Sequence, residues 1–220
     1  MPGTLYIVAT PIGNLSDITL RALETLKAVD LITAEDTRHT KILLDRYEIS
    51  KPTTSYFAHS KIQKTEYIIS VLKEGKSVAI VSDAGTPGIS DPGYKIIRTA
   101  IDSGIVVVPI PGPSGLITAL TASGKPTDSF TFEGFLSNKS GKRKNQLKKL
   151  KDEGRTAVIY ESPHRLLKFL EDVLEIYGDV EVVLARELTK KFEELRREKV
   201  SEAILHFKSI APRGEFIAII

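Results

Sequence analysis

The 220-residue chain is 41% hydrophobic and 27% charged, enough for a soluble globular protein of one large domain or two small ones. It contains no cysteine, which excludes disulfides, thiolate metal sites and a thiol nucleophile and suits a reducing cytoplasm. Net charge is only +3, no apolar run reaches the ~20 residues of a membrane helix, and MPGTLYIVAT lacks the basic start of a signal peptide.

The first half alternates short apolar runs with helical periodicity. TLYIVA (4–9) is a strand, and 19–29 a helix with Leu20, Leu23 and Leu26 on its inner face. Strands follow at Leu31–Ala34, Thr53–Phe57 and Ser77–Val81, with helices at Thr40–Tyr47 and Gln63–Lys73 between them. Asp91 followed by Pro92 reads as an N-cap with proline at the first helical position, opening a helix that runs to about Ser103. Ile105–Ile110 is a further buried strand. This rhythm implies a mainly parallel sheet covered by helices.

The second half opens with a helix over 114–122, capped by Ser114 and facing Leu116, Ile117 and Leu120 inward. The strand FTFEGF (130–135) leads to a basic helix at about 142–153, and Ala157–Tyr160 is another strand. Ser162–Pro163 again reads as cap plus proline, for a helix ending at Gly178. VEVVLA (180–185) and GEFIAII (214–220) are strands, and 190–208 fits helix or strand equally. The expected organisation is α/β in two domains, 1–112 and 113–220.

In an open parallel sheet, ligands sit beyond the C-terminal strand ends where strand order reverses. Three Gly/Pro-rich segments leave such ends: TPIGN (10–14), DAGTPGISDPG (83–93) and PGPSG (111–115). Any one could be an ordinary connection, but three at corresponding ends point to a shared binding cleft. Glycine admits backbone close to a ligand, and proline fixes the path beforehand. Neither GxGxxG nor a P-loop is present. The 83–93 loop has two Asp and no Lys or Arg, which would repel pyrophosphate and favour a neutral or positively charged ligand such as a sulfonium.

AEDTRHT (34–40) adds Glu35, Asp36 and Arg38 at another strand end: a helix cap with an ion pair, or a general base with a phosphate-gripping arginine. YESPHRL (160–166) places His164 and Arg165 in a first helical turn, where cations oppose the helix dipole, leaving a substrate role open. The four histidines have no HxxxH spacing, so no zinc site is expected. Charge in 1–112 balances at 12 basic and 12 acidic residues, whereas 138–155 holds eight Lys/Arg against two acids. That segment is a solvated helix face or an RNA-binding patch, with Arg143 and Lys144 as phosphate contacts.

DAGTPGISDPG, with TPIGNLSDIT, AEDTR, PGPSG, YESPHR and RGEF in this order, resembles the tetrapyrrole (corrin/porphyrin) methylase superfamily, and within it the ribosomal RNA small subunit methyltransferase I branch. The resemblance implies two α/β domains with S-adenosylmethionine bound in a cleft between them, a homodimer, and no metal. It implies methyl transfer to the 2′-hydroxyl of a cytidine in the decoding region of 16S rRNA, with 16S rRNA or the small ribosomal subunit as partner and no DNA or membrane partner. Carried over by motif, cofactor contacts are Pro11, Asp83, Ala84, Gly85, Thr86, Ile89, Ser114 and Gly115, with Tyr160, Glu161, Glu187 and Leu188 completing the pocket. Many members continue beyond the RGEF strand, whereas this sequence stops at Ile220, so RNA affinity is expected from elsewhere, such as 138–155.

The expected reaction is in-line displacement by the ribose oxygen. Asp36 is the first choice as base, then Glu35, then Asp83. Two other readings stay open: a methyltransferase of a small tetrapyrrole precursor, and a non-catalytic RNA-binding protein.

Overall fold

The computed structural model describes residues 1–56 and 62–220, which form two units, Met1–Ser114 and Gly115–Ile220. Phe57, the expected end of the third strand, and His59 lie outside the described residues.

The first unit runs β1 (Thr4–Val8), α1 (Leu20–Ala28), β2 (Leu31–Ala34), α2 (Thr37–Arg46), β3 (Thr53–Ser55), α3 (Ile62–Lys73), β4 (Val78–Val81), α4 (Tyr94–Asp102) and β5 (Val106–Ile110). Its sheet has the order β3-β2-β4-β1-β5, and every pair is parallel. From β1 the chain steps through α1 and α2 toward one edge, then returns through α3 and α4 toward the other. Right-handed crossovers in opposite directions must place those helix pairs on opposite faces. Accordingly one core packs Ala22, Leu26, Leu43 and Leu44 against the sheet, and a separate one packs Ile68, Leu72, Ile96 and Ala100. β2 and β4 lie inside, buried at every residue, which is why they read as continuous apolar runs.

The second unit runs α5 (Gly115–Ser123), β6 (Phe130–Phe135), α6 (Ser140–Glu153), β7 (Thr156–Glu161), α7 (Leu166–Tyr177), β8 (Glu181–Arg186), β9 (Glu194–Lys199), α8 (Val200–Ser209) and β10 (Phe216–Ile219). Its sheet, β6-β7-β10-β8-β9, is mixed: β6 pairs parallel with β7, and the other pairs are antiparallel. β7 and β8 both run against β10, so they run alongside each other in direction. Phe216 pairs with both Glu161 and Arg186, which brings the ends of β7 and β8 to one edge of the sheet. α6, α7 and α8 cover the core through Leu147, Leu150, Phe169, Leu170, Ala203 and Phe207.

Several local expectations need correction. Leu20 is 79% exposed, and α1 instead turns Ala22 and Leu26 inward. β5 is an edge strand, so Val106 is 60% exposed and the strand is not buried as its apolar sequence suggests. Ile117 is likewise exposed, and α5 buries Ala119 and Leu120. Both expected cap-plus-proline helix starts come late, α4 by two residues and α7 by three. α4 begins after Gly93 with no side-chain cap, so Asp91 does not cap it. α7 begins after Arg165, because Ser162 to Arg165 form a turn closed by the Arg165 N–H on Ser162 O at 3.1 Å. The ambiguous stretch 190–208 is both: a strand, then a helix.

Candidate active site

In the first unit the loops after β1, β4 and β5 are tied together by hydrogen bonds. Thr10 N–H donates to Gly85 O at 2.9 Å, and Gly85 N–H returns a bond to Thr10 O at 3.0 Å. Thr10 Oγ1 donates to Ser82 O at 3.1 Å, and Thr86 Oγ1 donates to Pro113 O at 3.4 Å. β4 lies between β2 and β1, and its outgoing loop leads to the opposite face from theirs, so the crevice that parallel sheets open at such a reversal falls here. Pro11, Ala84, Gly85 and Thr86 belong to this knot, and Ile89 stands beside it, 43% exposed. Gly85 has φ +76°, and a Cβ there would sit 3.4 Å from Ile12 Cγ2. The knot therefore needs glycine for its backbone path, and it keeps main chain open to an approaching ligand. Ser114 stands at the end of the first unit and Gly115 begins α5 of the second.

Three carboxylates gather at this edge. Asp83 Oδ1 accepts the Asp36 N–H at 2.9 Å, which fixes the loop after β4 to the one after β2. Burial pushes the Glu35 carboxyl up, and the charges of Asp83 and Asp91 push it further. Asp91 is raised to about 6, by burial first and by Asp83 second. Glu35, Asp83 and Asp91 form no ion pair among the described residues.

Asp36, the first choice as base, differs in its partners. It caps α2, accepting the Arg38 N–H at 2.8 Å, and holds the Arg38 guanidinium at 3.1 Å and 2.7 Å. Those bonds hold its carboxyl down at about 2. A carboxylate so well satisfied has little tendency to take a proton. Arg38 keeps a highly exposed side chain, although one face is committed to Asp36.

In the second unit most charged candidates are already paired. Arg143 is buried at 3% exposure, with Nε 2.7 Å and Nη2 2.6 Å from Asp172 Oδ2, and its remaining donors reach Ser137 O and Lys168 O. It is a core residue and cannot meet a phosphate. Lys144 is bound to Glu175 at 2.6 Å, with Asp172 at 3.7 Å. Arg165 reaches Leu136 O at 2.6 Å and stands 3.1 Å from Glu161 Oε1. The Glu161 carboxyl is fully buried and accepts the Ser162 N–H at 2.8 Å, so neither residue presents its charge to a ligand. His164 is exposed in the turn before α7. Tyr160 packs edge-on against Phe132 and Phe135.

Glu187 and Thr189 hold positive φ values of 48° and 66°, uncommon for such residues, around the buried Leu188. The loop is braced. Glu187 Oε1 accepts the Glu215 N–H at 2.9 Å and the Lys190 ammonium at 3.0 Å, and Thr189 N–H reaches Glu193. Burial opposes the Glu187 charge, but those two donors outweigh it and hold the carboxyl below its ordinary value. Gly214 makes room, since a Cβ there would lie 2.5 Å from Glu187 Cγ. This explains the glycine of RGEF. The sequence reading missed Asp91 as a site residue, although it shares the loop with Asp83. It also missed Asp172, 29 residues from Arg143, for which the sequence carries no signal.

Residues 4–204 match the Tetrapyrrole (Corrin/Porphyrin) Methylases family. A Thermotoga maritima protein named Ribosomal RNA small subunit methyltransferase I is 53% identical, covering 99% of this chain and 98% of its own length. The protein of that name from Escherichia coli O157:H7 is 51% identical, with 99% and 77% covered. Among solved structures, a diphthine synthase superposes with a TM-score of 0.78 at 14% identity, over 99% of this chain and 89% of the other, a likeness of fold alone. With its fold, its loops and these relatives in agreement, the chain belongs to the tetrapyrrole (corrin/porphyrin) methylase family.

Proposed function

We propose that the chain is a methyltransferase that carries a methyl group from S-adenosylmethionine to the 2′-hydroxyl of a cytidine in small-subunit ribosomal RNA, working as a homodimer in the cytoplasm. The observation that carries this reading is the loop knot of Thr10, Gly85, Thr86 and Pro113 set against three carboxylates that no cation among the described residues neutralises. The relatives named for ribosomal RNA methylation give the substrate class. No helix among the described residues is long and apolar enough to cross a membrane.

The residues present fit the cofactor. Left-handed glycine backbone gives close approach, and Glu35, Asp83 and Asp91 make the edge attractive to positive charge and repellent to phosphates. S-adenosylmethionine would supply an electrophilic methyl on a sulfonium. Pro11, Ala84, Gly85, Thr86 and Ile89 would hold it, and Tyr160 and Leu188 remain proposed contacts. The chain's own work is then alignment and proton removal. Alignment can lower a barrier by ~7–11 kcal/mol, against ~10²–10⁴-fold for a positioned base, so the rigid loops carry the larger share. Glu35 is the residue best suited to accept the ribose proton, because burial and its neighbours raise its basicity.

The test is to give the protein methyl-labelled S-adenosylmethionine with undermethylated small ribosomal subunits and, in a parallel reaction, with a tetrapyrrole precursor, and to follow the label. Label in an alkali-resistant linkage supports ribose 2′-O-methylation. Label that enters only a tetrapyrrole precursor overturns the RNA reading, and cofactor binding without turnover overturns the enzyme.

A further inference from the structure

α6 carries six Lys/Arg within its 14 residues, and the structure separates those that hold the fold from those that do not. Arg143, Leu147 and Leu150 form its buried stripe. On one flank, Lys144 is bound to Glu175, and Lys151 donates to Ile176 O at 2.7 Å. These three cations have protein partners. The other three, Lys142, Lys148 and Lys149, are exposed and have no hydrogen bond or ion pair among the described residues, and Lys142 and Lys149 share the opposite flank.

They rim a recess of about 290 Å³ lined by Ser137, Lys142, Asn145, Gln146 and Lys149. Its chemistry is one-sided. Gln146 Oε1 accepts the Ser137 N–H at 3.0 Å, which turns the amide's NH₂ away as a free donor. Ser137 Oγ accepts the Lys139 N–H at 3.2 Å, so its hydroxyl proton is left to give. No carboxylate lines the recess. Two ammonium groups, two side-chain amides and a hydroxyl make a donor-rich surface, and the matching partner is a run of anionic acceptors. Seven residues of helix separate the two lysines by roughly 10 Å of rise, which spans more than one phosphate of a nucleic-acid strand.

We propose that this flank of α6 grips the sugar–phosphate backbone of the substrate RNA away from the methylated nucleotide, with Lys142 and Lys149 as the phosphate contacts and Asn145 and Gln146 on sugar or base edges. It rests on the ribosomal RNA reading and moves the contacts from Arg143 and Lys144 to the residues the fold leaves unpaired.

The test compares wild type, Lys142→Ala/Lys149→Ala, and a control, Lys27→Ala/Lys73→Ala, which removes two exposed lysines from the first unit. Each is assayed for methyl transfer to undermethylated small subunits across salt concentrations, and for S-adenosylmethionine affinity. The α6 variant should raise KM for RNA about tenfold or more, with kcat and cofactor affinity unchanged. It should also flatten the log–log salt dependence by ~1.4–1.8, the share of two phosphates. The control should match wild type. If wild type labels RNA and the α6 variant keeps its KM and salt slope, the grip is overturned while the methyltransferase reading stands. An equal rise in KM for the control also overturns it, since that would mean general charge and no particular face. If wild type labels no RNA, the underlying function fails first, and the grip falls with it.

Discussion

The two units reach a similar arrangement by different hydrogen-bond patterns. In the first, an all-parallel sheet opens every strand's C-terminal end at one edge. In the second, a mixed sheet does so for β6, β7 and β8, because β10 runs against both β7 and β8 and β6 runs along β7. Their electrostatics diverge. Among the described residues, Glu35, Asp83 and Asp91 of the first unit have no cation partner, whereas Glu161, Glu187 and Glu194 of the second are each met by Arg or Lys. Formal charge in a sequence says little about function until structural pairs are subtracted. What is left, among the described residues, is an uncompensated acidic edge in one unit and the unpaired lysines of α6 in the other.

The largest effect should come from breaking a pair that the second unit uses for its fold. Arg143→Ala leaves Asp172 buried beside an empty space, and removing one partner of a buried pair typically costs ~3–5 kcal/mol. Urea unfolding should show that loss in the midpoint. An unchanged midpoint, together with a reduced salt dependence of RNA binding, would return Arg143 to the RNA surface. The first unit should respond at its loop knot. Gly85→Val places a β-branched side chain at φ +76° and against Ile12, so the Thr10 bridge must distort. Calorimetry should find S-adenosylmethionine affinity down at least about tenfold, an effect of the size a displaced ligand contact produces. A variant that binds cofactor normally would remove the knot from the site.

Much of this contrast was legible beforehand. Apolar runs and Gly/Pro-rich ends gave the strands and the loops that follow them, because burial and positive φ leave local marks. Pairing partners were not legible, because they are set by the fold. Arg143 and Lys144 sit in a basic run that looks like a nucleic-acid patch, and only the docking of α7 reveals Asp172 and Glu175 beneath them. Asp91 failed for the converse reason. Asp-Pro has the local form of a helix start, but Asp91 is drawn into the buried acidic edge and the helix begins two residues later.

The smaller effects lie among the carboxylates and would sharpen the contrast within the first unit. Burial lifts Asp91 from an ordinary 3.8 to about 6, so the folded chain holds a proton that the unfolded chain has released. Stability from this group is therefore lost as pH rises from about 4 to about 6, and Asp91→Asn should remove that slope from unfolding curves. A slope that persists in the variant would belong to other groups. Smallest of all is the expected effect of Asp36→Asn. Asn caps a helix about as well as Asp, and the lost partner, Arg38, is a highly exposed cation. Turnover should change by less than about twofold, whereas Glu35→Gln should lower it by ~10²-fold or more at undiminished cofactor affinity. The two substitutions are neighbours in sequence and both remove one negative charge, so general electrostatics would move them together. Only a difference in proton affinity, set by Arg38 on one side and by burial, Asp83 and Asp91 on the other, separates them. Equal losses would place both carboxylates in cofactor attraction and leave proton removal to solvent.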